Sequence, residues 1–353
     1  MLNPGYTTLS KFAIEQIPAG PNARDLASLL VDVAAVTKAI SAAVRKGPLL
    51  GLSGLAGSEN AQGEAQKKLD LLSDELFTRG IEWSGLVGAL ASEEMDEVRM
   101  VAGRGRLALV YDPLDGSGNL DVNVAVGSIF SVLELPEGAV GPEAVLQKGA
   151  RQVAAGYAIY GPSTELVLTV GRGTHGFTLD REIGNYVLTA PDMRIPARTS
   201  EYAINSSNRR FWEPPVTRYV DECKAGREGP RGRDFNMRWV ASLVADVHRI
   251  MVRGGVYLYP RDQRDACREG RLRLMYEGNP MAFLVEQAGG LASTGRGRIM
   301  DVEPAALHQR VPVIIGSSEE VERIDLYHRE YDCGEDQPYS SPLFAERSLF
   351  INT

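Results

Sequence analysis

A mixed α/β chain folded in two halves is what this sequence predicts, and three observations predict it. Apolar residues recur at helical spacing between Asp25 and Lys46. Valine- and isoleucine-rich runs, broken by glycine and proline turns, fill the stretch from Ser84 to Asp180. A break near "APDMRIPARTS" then separates that stretch from a second alternation of helix and strand. At 353 residues the chain suffices for two packed domains, and its 44% apolar and 24% charged content is that of an ordinary globular protein.

Each element follows in order. Leu26, Leu29, Leu30, Val33, Val36, Ile40 and Val44 share one helical face, with Asp25 at its start and Gly47-Pro48 at its end. "GLSGLAGSENAQG" reads as a Gly/Ser/Asn loop with little to bury, and "EAQKKLDLLSDELFTRG" as a second helix closed by its glycine. "SGLVGALASEEMDE" is a short apolar strand ending in acids, and "GRLALVYD" a second strand running into "PLDGSGN". "LDVNVAVGSIFSVLEL" alternates and reads as strand, and "QVAAGYAIYGPSTELVLTVGRGTHGFTLD" as short strands joined by turns. Beyond the break, "WVASLVADVHRIMVRGG" and "NPMAFLVEQAGG" predict helices, while "VYLYP" and "VPVIIGS" predict strands. The tail from Cys333 reads as an irregular surface extension, and no internal repeat is present. The expected units are 1–195, 196–333 and an extension over 334–353.

Composition narrows the function. A net charge of −8 speaks against general nucleic-acid binding and suits a protein that holds cations. Cys223, Cys267 and Cys333 are few, odd in number and widely spaced, which fits a reducing compartment and offers no metal-ligand spacing. The first twenty residues lack a basic region followed by an apolar core, and no apolar run approaches the roughly 18 residues of a membrane span. A soluble cytoplasmic protein is expected.

Acids recur where strands end. Glu93 and Glu94 close one strand, Asp112 and Asp115 another, and Asp70 and Glu277 stand in apolar surroundings. Hard divalent ions such as Mg²⁺ take oxygen ligands, usually a few carboxylates with water or phosphate. Pro113 stiffens the turn between Asp112 and Asp115, and Gly116-Ser117-Gly118 offers backbone N–H groups and a hydroxyl suited to a phosphate oxygen. Metal and phosphate in one loop suggest phosphoryl chemistry. Acid-rich turns are also commonly solvated surface, and spacing alone does not bring these groups together.

"KKLD", "ASEE", "DPLDGSGN", "SLVADVHR", "GVYLYP" and "LRLMYEGNPMAFLVEQAGG" occur in the order found in class I fructose-1,6-bisphosphatases, which most of residues 8–330 resembles. The shorter pattern of EE followed by DP-x-DG is shared by the lithium-sensitive phosphatases as a whole. The resemblance implies an α-β-α-β-α layered sugar phosphatase fold, two or three Mg²⁺ (or Mn²⁺) per subunit, a sugar bisphosphate substrate and a homotetramer. It implies Glu93, Asp112, Asp115, Glu277 and the Leu114 carbonyl as metal ligands, and Asp70 and Glu94 as the pair that orients and deprotonates water. Glu64 corresponds to an acid on a mobile catalytic loop, which Gly51 to Gly63 would form. Gly116 and Ser117 correspond to the 1-phosphate cradle. Asn205, Tyr259 and Arg238 correspond to 6-phosphate ligands, with Arg238 lent by a neighbouring subunit. Arg273 matches a residue near the 1-phosphate and sugar, and Arg271 stands where a lysine is usual.

Bland readings stand beside these. Tyr259 also reads as core and Arg238 as surface charge, and Asp246 and His248 read as satisfied polar groups on an apolar helix. Trp239 replaces a common tyrosine, Asn208 a phosphate-binding tyrosine, and Gly118 a second serine, so the 6-phosphate pocket is expected to be rebuilt. The family's AMP site is expected to be degraded, since its positions here read Ala23-Arg24-Asp25 and Arg106-Leu107. The rival readings are activity on sedoheptulose 1,7-bisphosphate, an inositol- or adenosine-phosphate phosphatase, and an inactive metabolite sensor.

Overall fold

The computed structural model describes residues 6–52, 54–59, 65–103, 105–138, 141–264 and 268–337. Helix α1 (Leu9–Gln16) starts where the Thr8 hydroxyl accepts the Lys11 N–H. Helix α2 (Ala23–Lys46) buries the predicted stripe, from Leu26 to Ile40. The hairpin β1 (Leu55–Glu59) and β2 (Ala65–Lys67) leads into α3 (Lys68–Glu82). Strands β3 (Val87–Ser92), β4 (Arg99–Met100), β5 (Leu107–Asp115), β6 (Val126–Glu134), β7 (Gln152–Tyr160), β8 (Thr164–Thr169), β9 (Thr174–Asp180) and β10 (Asn185–Met193) follow. They form one sheet in the order β10-β9-β8-β7-β6-β5-β3-β4.

The second half carries β11 (Glu201–Ile204), α4 (Pro214–Ala225), β12 (Asn236–Met237), α5 (Leu243–Arg253), β13 (Val256–Tyr259) and β14 (Leu272–Arg273). A π-helical turn (Leu274–Gly278) runs into α6 (Asn279–Gln287), then β15 (Leu291–Ser293), β16 (Arg310–Val311), β17 (Val313–Gly316) and α7 (Ser318–Asp332). Its main sheet has the order β12-β11-β13-β17-β15.

The central strands of both sheets are covered on both faces, which is why they read as continuous apolar runs. On β6, Phe130 and Val132 pack with Leu29 and Val33 of α2, whereas Ile129 packs with Val244 of α5 and Leu284 of α6. On β17, Val313 and Ile315 join that same middle cluster, and Ile314 packs outward with Val216 of α4 and Ile324 of α7. The period-2 alternation thus distributes one strand between two cores. The result is the α-β-α-β-α stack.

Several boundaries depart from the sequence reading. Residues 55–59 and 65–67 pair as strands, so the second helix begins at Lys68. Residues 117–122 form a 3₁₀ helix, and the strand starts at Val126. "APDM" continues β10. Helix α5 starts at Leu243 because Ser242 caps it. Helices α1, α4 and α7 were not anticipated. Helix α2 is long and apolar enough to cross a bilayer, contrary to the sequence expectation, yet its apolar stripe lies in the protein core. Asp246 accepts the Val240 N–H, and His248 pairs with the Tyr157 hydroxyl at 3.0 Å, as satisfied polar groups do.

Candidate active site

Strands β3 and β5 are parallel neighbours, so their C-terminal ends open at the same edge of the sheet. Asp112 and Asp115, three residues apart, would face opposite sides of a regular strand. Against β6, Asp112 pairs with Ile129 and Asp115 with Gly127, so three steps on β5 match two on β6. This β-bulge returns both carboxylates to one side. Asp112 Oδ1 accepts the Leu114 N–H at 3.0 Å. Asp115 reaches the start of α5 and accepts from the Ser242 hydroxyl (2.7 Å), the Val244 N–H (2.9 Å) and the Leu243 N–H (3.3 Å). A helix N-terminus is the natural holder of a carboxylate. Gly116 then turns at φ +75°, and a Cβ there would lie 2.6 Å from the Ser242 Cβ, so this approach requires glycine.

Glu277 arrives from the other half on the π-helical turn, a local irregularity common at functional sites. Its Oε2 accepts the Arg273 N–H at 2.6 Å. Oxygens of Asp112, Asp115 and Glu277 lie within 4.8 Å of one another, and all three residues are buried. Glu93, carried just past β3, has the Arg273 guanidinium 3.3 Å away. Gln66 donates to Glu94. Asp70 accepts the Lys67 N–H at 2.7 Å with one oxygen, while its other oxygen is buried with no hydrogen-bond partner among the described residues.

Burial raises the Asp112 carboxyl well above the ordinary carboxylate range, and the Glu93 and Asp115 charges push it further. Burial likewise raises Glu93, helped by Glu277 and opposed by Arg273. Asp70 is pushed up to about 6, chiefly by burial. Hard oxygen donors of Asp112, Asp115 and Glu277, gathered within 4.8 Å of one another under such repulsion, fit a divalent cation.

These groups form one end of a cavity of about 390 Å³. Thirteen of the predicted site residues line it: Asp70, Glu93, Glu94, Asp112, Leu114, Asp115, Gly116, Ser117, Asn205, Tyr259, Arg271, Arg273 and Glu277. Arg238 does not; it is exposed and borders a separate hollow beside Glu201 and Arg249. Glu64 and Cys267 lie outside the described residues. Sequence reasoning missed Gln66 and Tyr257, which also line the cavity. Tyr257 had a signal, because in "VYLY" it shares the Tyr259 side of the strand. Its ring stacks on Trp239, centroids 5.6 Å apart and planes within 7°.

Layered fold and acid-lined cavity together define a class: the metal-dependent sugar phosphatases. Residues 7–191 match the family model "Fructose-1-6-bisphosphatase, N-terminal domain", and residues 195–329 match the corresponding C-terminal domain. The chain is 54% identical over 352 residues to "Fructose-1,6-bisphosphatase class 1 3" of Methylibium petroleiphilum, covering 98% of each. It is 53% identical over 350 residues to "Fructose-1,6-bisphosphatase class 1" of Methylacidiphilum infernorum, again covering 98% of each. The solved Leishmania major fructose-1,6-bisphosphatase superposes with a TM-score of 0.86 in its holo form and 0.81 in its T-state. Sequence identities are 38% and 37%, over 93% of this chain and 100% of each neighbour. The chain belongs to the class I fructose-1,6-bisphosphatases.

Proposed function

We propose that this enzyme hydrolyses fructose 1,6-bisphosphate to fructose 6-phosphate and phosphate, with water attacking the 1-phosphate in line. The observation that carries the reading is the buried Asp112–Asp115–Glu277 cluster opening into the same cavity as Gly116 and Ser117. Glu93, Asp112, Asp115, Glu277 and the Leu114 carbonyl hold Mg²⁺ (two or three ions, or Mn²⁺ in its place). Bound there, divalent ions offset the charge of the transferring phosphoryl group and acidify water. Asp70 and Glu94 orient and deprotonate the attacking water. Gly116 and Ser117 cradle the 1-phosphate. Asn205, Tyr259 and Arg271 receive the far phosphate, joined by Arg238 of a neighbouring subunit in a homotetramer, and Arg273 lies toward the 1-phosphate and sugar. Arg238 being exposed and outside its own chain's cavity supports the shared arrangement.

The units 1–195 and 196–333, the extension over 334–353 and a cytoplasmic location belong to the same proposal. Phosphate release from fructose 1,6-bisphosphate with and without Mg²⁺ tests the activity; release that ignores the metal would overturn it.

Activity on sedoheptulose 1,7-bisphosphate is the second reading, carried by Trp239, which lines the cavity, and Asn208 beside it. The hollow that Asn208 borders has only about 10 Å³, too little by itself for an added carbon. Side-by-side rates on the two bisphosphates separate these readings. AMP is expected to inhibit weakly or not at all. Negative charge already occupies the start of α2, where Asp25 sits in the first turn and Asn22 bonds the Glu134 carboxylate. Inhibition by micromolar AMP would refute that.

A further inference from the structure

We infer that His308 is a positioning residue for the cation site, a strut between the segment carrying Glu93 and Glu94 and the segment carrying Glu277. The inference rests on the assignment of those acids to the cation. His308 Nε2 lies 2.8 Å from the Met95 carbonyl, and Nδ1 lies 2.9 Å from the Tyr276 hydroxyl. A carbonyl only accepts, so Nε2 carries the proton and Nδ1 receives the Tyr276 O–H. One neutral imidazole satisfies both partners, and burial favours that neutral form.

Each partner adjoins an acid: Met95 follows Glu94, and Tyr276 precedes Glu277. Tyr276 is wholly buried, clustered with Ala89 and Ala91 of β3, Val110 of β5 and Leu307. The stretch after His308 is tied to the Glu277 segment by the Leu274 N–H bond to the Gln309 carbonyl (2.8 Å) and by the β14–β16 pairing. His308 extends that rigid unit across to the turn after β3, where the Glu94 N–H is held by the Ser92 hydroxyl. Acids from two halves of the chain must meet one hard cation at a set distance, and supporting groups fix such distances. Arg273 bridges the same gap from inside the cavity, so His308 braces it from outside.

The test compares His308→Leu, His308→Gln and Tyr276→Phe in the full-length enzyme. Mn²⁺ binding is read by electron paramagnetic resonance, beside the Mg²⁺ concentration for half-maximal rate and the KM for fructose 1,6-bisphosphate. His308→Leu is expected to weaken Mn²⁺ binding and raise the half-saturating Mg²⁺ about 10-fold, while KM stays within about twofold. His308→Gln restores most of the loss, because its amide donates to Met95 and accepts from Tyr276. Should His308→Leu fail to fold, Tyr276→Phe removes the hydroxyl that meets His308 and keeps the ring, with a smaller shift of the same sign. Normal Mn²⁺ affinity in a variant that is only less heat-stable would overturn the inference. Asp112→Asn is the control: intact Mn²⁺ binding there means the acid assignment has failed, whereas its loss there beside an unaffected His308→Leu means the strut alone has failed.

Discussion

The two ends of the cavity are built differently. At the acid end, four carboxylates are fixed by main chain: Asp115 by the start of α5, Asp112 by the Leu114 N–H, Glu277 by the Arg273 N–H and Asp70 by the Lys67 N–H, while the Arg273 and Gln66 side chains meet Glu93 and Glu94. At the far end, Trp239, Tyr257, Tyr259 and Arg271 meet through rings and a guanidinium, with Arg271 6.0 Å from the Tyr259 ring centre. Backbone bonds specify one geometry, whereas ring contacts tolerate exchange. On the proposed assignment, the chemistry sits where the chain cannot adapt, and substrate length would be read where it can.

That contrast can be broken experimentally. Asp112→Asn should have the largest effect, lowering kcat by about 10³-fold in a phosphate-release assay; retained turnover would remove the acid end from the chemistry. Gly116→Ala comes next, costing about 1–3 kcal/mol of stability in denaturant titration, because the loop cannot back away from Ser242. Trp239→Tyr should change the ratio of kcat/KM between the six- and seven-carbon bisphosphates by about threefold to tenfold, leaving metal dependence alone. If it altered metal dependence instead, the two ends would not be separable.

The smallest effect sharpens the comparison through pH. Asp70 titrates near 6 in the metal-free fold, above its ordinary 3.8. Its folded form holds a proton that the unfolded chain has released, so the stability it contributes is present below about pH 4 and is lost as pH rises through 6. The metal-free enzyme should thus lose Tm between pH 4.5 and pH 7, and Asp70→Asn should recover about 2–4 °C of that loss. An equal loss in the variant would place the responsible buried carboxyl elsewhere.

Much of this was legible in the chain. The α2 stripe and the glycine-punctuated strands carry their periods locally, and six acids in apolar settings advertised a charged site. Helices α4 and α7 escaped notice because their exposed faces are heavily charged and their buried faces depend on partners far along the chain. Glu222 of α4 receives the Tyr327 hydroxyl of α7, and the fully buried Glu320 of α7 binds Arg231 and Arg233. Such groups read as surface until the fold pairs them.

By itself the sequence determined which residues could hold a cation and a phosphate, since ligand chemistry belongs to side-chain type. Only the tertiary structure decided that they converge. The spacing of Asp112 and Asp115 is wrong for one face of a strand, and a bulge against β6 corrects it. Glu277 stands 162 positions beyond Asp115. Sheet pairing and the π-turn, neither of them a local property, bring it within 4.8 Å.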